Sequence, residues 1–394
     1  MRIAMLGTRG LPATYGGVEH HVEEVGRRLV ERGHRVTVYS QSHYGAGQAG
    51  TQHLGMDVVK VPSMPMRSLE AITHSALSSM AALARGHDVM HYHAIGPGLL
   101  APLPRVFSRT AIVQTIHGLD ADRDKWGRGA RTLLQLGTWM SARVPHRTLT
   151  VSAALRDHYA ERYRRSCDYI PNGTSPHEHR PASLIENRHG LTTSGYLLYV
   201  GRLVPEKRPD LLIRAFADVE TDRRLVIVGG SSYTDEYVER LQELAGRDER
   251  VLLTGYAYGE ELDELFSNAA LFVQPSSLEG LPLTLLEAIG SELPLVVSDI
   301  PPHLEIVGTS RRGAQIFRTD DRSALTRAIT DALADLGAQS HGASQIARDV
   351  LPRFDWERCT DLVEQVYRDV VRGQGTPTLP RHRESVPSPG RVAV

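Results

Sequence analysis

The feature that most constrains the fold of this chain is that it begins an alternating series of apolar strands and helices twice. The first series runs from a strand at 2–6 through a glycine-rich loop to a helix at 18–32 and a strand at 35–40. The second begins with a strand at 196–200 and a helix at 210–219. Strands that alternate with helices form parallel sheets covered on both faces. Two doubly wound α/β domains are therefore predicted.

The length of the chain agrees with two domains, because 394 residues exceed what one hydrophobic core usually organises. The expected organisation is an N-terminal Rossmann-like domain, a Pro- and polar-rich linker, a C-terminal Rossmann-like domain, a helix that packs back on the N-terminal domain, and a disordered tail rich in Pro, Arg and Ser. Their predicted bounds are 1–175, 176–194, 195–353, 354–372 and 373–394.

Composition excludes several classes of protein. With 45 Lys+Arg against 46 Asp+Glu, the net charge of -1 provides no global field for nucleic acid. Cys167 and Cys359 fit neither a metal-binding motif nor a disulfide framework. The chain enters its first strand without a secretion signal and has no apolar run of bilayer length. We expect a cytoplasmic protein, and peripheral contact with the inner face of the membrane stays open.

Two doubly wound domains that face each other form a cleft at the carboxyl ends of their strands, where such sheets bind ligands. Gly16 and Gly17 precede a helix on the N-terminal side, so they either approach a phosphate or form an ordinary turn. On the other side, Arg202 and Lys207 follow a strand and suit the two phosphates of a diphosphate. A pair of solvated surface charges is the alternative interpretation.

The segment 276–288 is the most informative one. Pro282 is suited to the first position of a helix, which leaves the N–H groups of Leu283 and Thr284 unpaired in the first turn and able to bind a phosphate. Glu279 lies before this helix and Glu287 lies within it. The two carboxylates are therefore predicted to accept hydroxyl groups from different parts of one elongated ligand.

Taken in order, these motifs resemble the retaining glycosyltransferases of family 4, which have the GT-B fold of two Rossmann-like domains facing across a cleft. The likeness extends to about residue 371. The stretches 7–12 and 117–127 further resemble a bacterial rhamnosyltransferase-like subgroup that builds surface polysaccharides. The motifs that carry the family resemblance are Gly16-Gly17 with Glu19, 115–118, 151–152, 170–173, 200–207, and Glu279 with Glu287.

The resemblance implies a role for each matching residue. Arg202 and Lys207, with the N–H groups of Leu283 and Thr284, would bind the donor diphosphate, and Gly16 and Gly17 would approach it from the other domain. Glu279 would hold hydroxyls of the donor sugar and Glu287 those of the ribose. His117 would contact the sugar near the reacting carbon, and beside a diphosphate we expect it to be cationic, which favours positioning over proton abstraction. Arg202, Lys207, Glu279 and His117 form the predicted catalytic set.

The acceptor side is less defined by the sequence. His93 ends a strand near the predicted cleft, and Glu19 and His20 open the first helix. All three are candidates for contact with the acceptor, while core and capping roles are equally compatible with their positions.

The implied reaction is transfer of a sugar from a nucleoside-diphosphate sugar to a hydroxyl acceptor, such as a lipid-linked glycan or a small molecule, with retention of anomeric configuration. Neither a metal nor a cofactor is expected, since no Asp-x-Asp motif follows a strand. A sugar-nucleotide epimerase of the same fold and an accessory protein that binds the donor without turnover are the alternatives. The sequence identifies neither the sugar, the base, the acceptor nor the oligomeric state.

Overall fold

The computed structural model describes residues 1–14, 16–44, 51–63, 70–119, 128–175, 177–231, 234–309 and 312–373. Three expectations concern residues outside these ranges. They are the disordered tail beyond residue 373, the subgroup-like stretch over 120–127, and the first residue of the predicted linker, Pro176. The N-terminal half of the described chain forms one sheet and the C-terminal half forms another.

The N-terminal sheet has eight strands in the order β3-β4-β2-β1-β5-β6-β7-β8. All of its neighbours are parallel except the pair β3 and β4. Its strands are β1 (Arg2–Leu6), β2 (Arg35–Gln41), β3 (Gln52–His53), β4 (Met56–Val61), β5 (Val89–His93), β6 (Ala111–Ile116), β7 (Arg147–Thr150) and β8 (Asp168–Tyr169). The helices in this half are α1 (Gly17–Glu31), α2 (Glu70–Arg85), α3 (Ile95–Gly98), α4 (Pro102–Phe107), α5 (Arg128–Ser141) and α6 (Ala153–Tyr163).

The C-terminal sheet has six parallel strands in the order β11-β10-β9-β12-β13-β14. They are β9 (Tyr196–Val200), β10 (Arg224–Val228), β11 (Val251–Gly255), β12 (Leu271–Gln274), β13 (Leu295–Ser298) and β14 (Ala314–Phe317). The helices that follow in the chain are α7 (Leu184–His189), α8 (Pro209–Phe216), α9 (Asp235–Ala245), α10 (Glu260–Asn268), α11 (Leu283–Gly290), α12 (Pro301–Val307), α13 (Arg322–Ala334), α14 (Leu336–Val350) and α15 (Trp356–Val371).

The central strands are buried on both faces, which explains their continuous apolar sequences. Every residue of β5, β6 and β9 is buried. Such strands have no polar alternation, since helices cover both sides of a parallel sheet. The predicted fold class, two doubly wound Rossmann-like domains in the GT-B arrangement, is confirmed. Strand β14 and helices α2 and α5 were not predicted.

The segment expected to be a linker, 176–194, contains a helix instead. The Glu264 carboxylate of α10 accepts hydrogen bonds from the backbone N–H groups of Ser183 and Ile185, at 2.9 and 3.1 Å, at the start of α7. Side-chain acceptors at a helix start satisfy otherwise unpaired N–H groups. This contact fixes α7 to the C-terminal domain and leaves a shorter connection between the domains.

The chain crosses between the domains at two neighbouring points. Thr174 and Asp355 form a β-bridge, and the Thr174 N–H donates to the Phe354 carbonyl at 2.7 Å. After the second crossing, α15 lies on the N-terminal domain, where His34 Nε2 is 2.7 Å from a Glu364 carboxylate oxygen and the Tyr367 hydroxyl is 2.6 Å from His91 Nδ1. The paired crossings form the axis about which the domains would move. In the part of the chain described, no helix has the length and apolar character needed to cross a bilayer.

The packing of α15 predicts which domain depends on it. Val363 is 1% exposed in the N-terminal core, whereas its neighbour Leu362 is 37% exposed. Val363→Ala should lower the free energy of unfolding of the N-terminal domain by about 1.5–3 kcal/mol, because it removes buried methyl groups and leaves a cavity. Leu362→Ala should change it by less than about 0.5 kcal/mol. Denaturant unfolding with domain-resolved hydrogen exchange measures both, and equal effects would contradict the assignment.

Candidate active site between the domains

Two adjoining cavities lie between the two sheets at the carboxyl ends of their strands. The inner cavity has a volume of about 200 Å³, and its lining includes His117, Lys207 and Glu279. The outer cavity has a volume of about 620 Å³, and its lining includes His20 and Glu287. The two share the lining residues Gly16, Gly17, Gly201, Arg202, Leu283 and Thr284. The structure therefore brings together residues from four separate stretches of sequence at one site.

The N-terminal wall of the cleft is the turn that leads into α1. Gly16 has a φ of 105°, and a Cβ atom there would be 2.3 Å from Glu19 Oε2. A Cβ on Gly17 would be 3.2 Å from a methyl carbon of Leu283 in the opposite domain. The backbone conformation at Gly16 favours glycine, whereas a side chain on Gly17 would require the Leu283 side chain to shift. The turn is thereby held within contact distance of α11.

Glu19 does not reach the cleft. Its carboxylate accepts hydrogen bonds from the Thr8 hydroxyl at 3.2 Å and from the Arg9 N–H at 2.9 Å, and the residue is 6% exposed. The predicted role of Glu19 in acceptor binding is therefore wrong for this structure. The carboxylate instead ties the loop after β1 to the start of α1, since a buried charge requires such partners.

Lys207 and Glu279 form an ion pair in the inner cavity. The Lys207 ammonium contacts Glu279 Oε1, and the Gln274 side-chain amide donates to the same oxygen at 3.0 Å. Burial by itself would raise the pKa of Glu279, but the charges of Lys207 and His303 and the hydrogen bond from Lys207 outweigh it, so the pKa is lowered. Glu279 is thus held as a carboxylate. The sequence predicted both residues in the site but not their contact.

Helix α11 points its N-terminus at both cavities. Pro282 is the N-cap residue and not, as predicted, the first residue of the helix, which begins one residue later at Leu283. The first hydrogen bond within the helix runs from the Leu286 N–H to the Pro282 carbonyl, at 3.4 Å. The N–H groups of Leu283 and Thr284 lie in the first turn, where the helix dipole favours an anion.

Gly280 is a functional position that the sequence analysis missed. A Cβ atom on it would be 1.8 Å from the His117 carbonyl oxygen, so the backbones of the two domains are in direct contact here. Its signal in the sequence is a glycine directly after Glu279, at the approach to α11. This contact holds Glu279 and His117, the two residues predicted to bind the donor sugar, close to each other.

His117 follows β6 and faces the inner cavity, with its Nε2 atom 3.2 Å from His93 Nδ1. Burial lowers the pKa of His117 well below its usual value, and the neighbouring rings of His21 and His91 lower it further. The environment in this structure therefore favours the neutral imidazole, and the expectation that His117 is cationic beside a diphosphate stays a prediction.

The other two predicted histidines occupy different environments. His93 is fully buried behind His117, so the prediction that it faces the acceptor is wrong. His20 is half-buried at the wall of the outer cavity, where its ring packs edge-on against Trp356 with the centroids 5.7 Å apart. Of the three acceptor candidates, only His20 therefore lines the cleft.

A further histidine, His21, joins His93 and His117 beneath the inner cavity. Among the described residues, one ligand atom from each of these three lies within 4.8 Å of the others, a spacing that a metal ion could bridge. Burial lowers the pKa of His21 to about 4, although its hydrogen bond with Asn172 opposes this effect. The sequence analysis predicted no metal ligands, because the three residues come from distant stretches that show no common motif.

Aromatic and acidic side chains line the outer cavity. Tyr256 and Tyr258 stack with their ring centroids 5.9 Å apart, and both are partly exposed. Glu287 lines the same cavity from α11. A Cβ on Gly229 would be 1.9 Å from the Gly201 carbonyl, which keeps the two loops in contact at the cavity floor. An aromatic surface beside a carboxylate suits a base and a ribose diol.

Comparison with known proteins identifies the class. Residues 15–178 match the family model described as Glycosyltransferase Family 4, and residues 184–349 match the model described as Glycosyl transferases group 1. One family model thus matches most of each domain. The chain therefore belongs to the glycosyltransferases of the GT-B fold.

Individual relatives agree with this class. The chain is 28% identical to a GDP-mannose-dependent alpha-(1-6)-phosphatidylinositol monomannoside mannosyltransferase of Mycolicibacterium smegmatis, over 84% of this chain and 89% of that protein. It is 26% identical to a D-inositol 3-phosphate glycosyltransferase of Acidothermus cellulolyticus, over 96% and 93% of the two chains. Enzymes that transfer sugars are thus similar to this chain over most of its length.

Solved structures share the fold. A sucrose-phosphate synthase from Thermosynechococcus elongatus superposes with a TM-score of 0.81 at 21% identity, covering 94% of this chain and 99% of that one. HepE of Anabaena, in complex with UDP-glucose, gives 0.79 at 18% identity, covering 93% and 100%. At this level of identity the likeness concerns the fold.

The contact at Gly280 generates a prediction about the cleft. Gly280→Ala should push the domains apart, since the new Cβ would overlap the His117 carbonyl oxygen. We expect a larger radius of gyration in solution scattering and a loss of stability of about 1–3 kcal/mol. Gly96→Ala is the matched control, because nothing lies within 4 Å of a Cβ atom there. An unchanged scattering profile for Gly280→Ala would contradict the close contact.

Proposed function

We propose that this glycosyltransferase transfers a sugar from a nucleoside-diphosphate sugar to a hydroxyl group of the acceptor, with retention of anomeric configuration and without a metal in the reaction. One observation carries the proposal. Arg202, Lys207 and the N-terminus of α11 converge on the cavity that Gly16 and Gly17 close from the other domain. A diphosphate is the ligand that this combination of two cations and a helix N-terminus suits.

The arrangement assigns the parts of the donor to the two cavities. The diphosphate would lie at the shared wall, between Gly17 and the first turn of α11. The sugar would enter the inner cavity, where the Glu279 carboxylate accepts its hydroxyls and His117 lies opposite. The nucleoside would extend into the outer cavity, with the ribose on Glu287 and the base beside Tyr256. Each assignment places a polar group of the donor against a side chain of matching hydrogen-bonding capacity.

The chemistry needs stabilisation of the leaving group. As the anomeric bond breaks, negative charge grows on the diphosphate and positive charge on the sugar ring. Arg202, Lys207 and the α11 N–H groups are already oriented toward the first charge, and fixed donors of this kind lower the barrier without reorganisation. Glu279 stays ionised beside Lys207 and would stabilise the sugar. In this proposal, these groups provide the stabilisation of negative charge on the diphosphate that a metal ion would otherwise provide.

Retention is proposed to result from attack on the face from which the diphosphate departs. Glu279 already contacts both Lys207 and Gln274, which disfavours its use as a covalent nucleophile. A leaving-group oxygen would then take the proton of the acceptor hydroxyl. The neutral His117 would position the sugar through hydrogen bonds.

The comparisons support a nucleotide-sugar donor and a glycan or inositol-type acceptor. The relative from Mycolicibacterium smegmatis depends on GDP-mannose and acts on a phosphatidylinositol mannoside, and a structure of the same fold contains UDP-glucose. The opening motif over 7–12 favours a rhamnosyl-type enzyme within the polysaccharide-building group. We propose a cytoplasmic location with peripheral contact at the membrane, since Val106 and Phe107 on α4 are 72% and 77% exposed beside Arg105.

Removal of single charges tests the catalytic assignment. Lys207→Ala and Glu279→Ala should each lower kcat/KM by about 100-fold or more, because each removes a group that stabilises the transition state. Arg208→Ala is the control, since Arg208 adjoins Lys207 in sequence but forms its ion pair with Asp320 outside the two cavities. Initial rates with a matched donor and acceptor give the comparison. Near-normal rates for either alanine variant would remove that residue from the proposed mechanism.

A panel of donors tests the reaction class. One of the UDP, dTDP, GDP or ADP sugars should raise the melting temperature more than the others, because a ligand that binds the native state stabilises it. Incubation of that sugar nucleotide with and without acceptor then separates the classes. A transferase needs the acceptor for rapid turnover, an epimerase changes the sugar without it, and an accessory protein binds without turnover. The anomeric proton coupling of the product reports retention or inversion.

A further inference from the structure

The histidine cluster beneath the inner cavity differs from an ordinary buried histidine site. His91, which packs against His93, has both ring nitrogens engaged, Nδ1 with the Tyr367 hydroxyl at 2.6 Å and Nε2 with the Thr115 hydroxyl at 2.7 Å. His21, by contrast, has a buried Nε2 atom without a hydrogen-bond partner among the described residues. A buried polar atom left in this way costs free energy and calls for an explanation.

Asn172 fixes the orientation of one of these ligands. Its side-chain carbonyl oxygen lies 2.9 Å from His21 Nδ1, and since an amide oxygen only accepts, the proton of His21 is on Nδ1. The lone pair of His21 Nε2 is therefore available. A histidine whose second nitrogen donates to an oxygen is the usual arrangement around a protein-bound metal, because it orients the ring and raises its basicity.

One nitrogen–nitrogen distance and the separations of the ring centroids are compatible with a tetrahedral site. His93 Nδ1 and His117 Nε2 are 3.2 Å apart, close to the separation of about 3.3 Å that tetrahedral geometry with Zn–N bonds of about 2.0–2.1 Å requires. The ring centroids lie 4.9 Å apart for His21 and His117, and 5.5 Å apart for each of the other two pairs. Three imidazoles around one ion at those bond lengths have centroids about 5 Å apart.

The three side chains have the chemistry of transition-metal ligands. A metal ion binds imidazole through a nitrogen lone pair, and histidine is the most common protein ligand for such ions. Three nitrogen ligands with one position open to a cavity are typical of sites for Zn²⁺ and neighbouring divalent transition metals.

We propose that His21, His93 and His117 form a binding site for a divalent transition metal of the Zn²⁺ class. The ligand atoms are His21 Nε2, His93 Nδ1 and His117 Nε2, and His117 also lines the inner cavity. Nothing in the proposed transfer reaction requires this ion.

Occupation of the site has a consequence that rests on the proposed function. An ion bound to His117 Nε2 would fix the imidazole ring within the histidine cluster and restrict the ring that is proposed to position the donor sugar. Metal-loaded enzyme is therefore expected to transfer sugar at least 10-fold more slowly, and a chelator is expected to restore the rate. Binding itself is measured without donor or acceptor, so failure of the metal site and failure of the proposed function give different results.

The test uses the full chain, purified without a histidine tag and treated with chelator. Titration with Co²⁺ should produce one equivalent of a tetrahedral ion, seen as visible absorption stronger than that of the hydrated ion, and Zn²⁺ should abolish the absorption. His21→Phe and His93→Phe preserve ring volume and should each weaken binding by at least 100-fold, since a loss of that size already follows removal of partners outside the ligand shell.

His87→Phe is the matched control. His87 is also a buried histidine with a pKa lowered to about 4, but it lies at the far end of β5, where it bonds to Tyr39. This variant should bind Co²⁺ like the wild type. Octahedral Co²⁺ spectra for the wild type, or equal binding by all variants, would overturn the proposal. If a phenylalanine variant does not fold, Asn172→Ala replaces it, with an expected loss of 10- to 100-fold in affinity.

Discussion

The site depends on the direct backbone contact between the two domains. A side chain on Gly280 would overlap the carbonyl of His117, and one on Gly17 would press against Leu283. Because glycine has no side chain, the two domains can approach closely and enclose the site between their sheets. The paired crossings at Thr174 and Asp355 keep the domains connected near a single axis.

Electrostatics in the inner cavity follow from that closure. Burial would protonate Glu279 if it were alone, but the ammonium of Lys207 maintains the carboxylate. The same enclosure lowers the pKa of His117 and leaves it neutral. A low-dielectric environment thus strengthens the paired charges and suppresses the isolated one. The result is a site in which anions and hydroxyls are recognised by groups whose protonation states are already set.

A series of contacting histidine side chains connects the inner cavity to helix α15. Tyr367 on α15 holds His91, His91 packs on His93, and His93 contacts His117. Helix α15 therefore holds the deepest histidine of the stack that lies beneath the inner cavity. This connection explains why the chain returns to its first domain, since without α15 the stack would lose both its apolar cover and the partner of its deepest ring.

The sequence by itself determined the two sheets, the cleft and the donor-side residues, because alternating apolar strands, the glycine turn and the segment around Glu279 are local patterns. Strand β14 and helix α7 escaped prediction because each is stabilised by pairing or packing with other segments of the chain. The tertiary structure alone decided that Glu19 anchors a loop and that His93 is buried behind His117. It also decided that His21 joins His93 and His117. These three residues are distant in sequence and become neighbours only because β5 and β6 end, and α1 begins, at the same edge of one sheet.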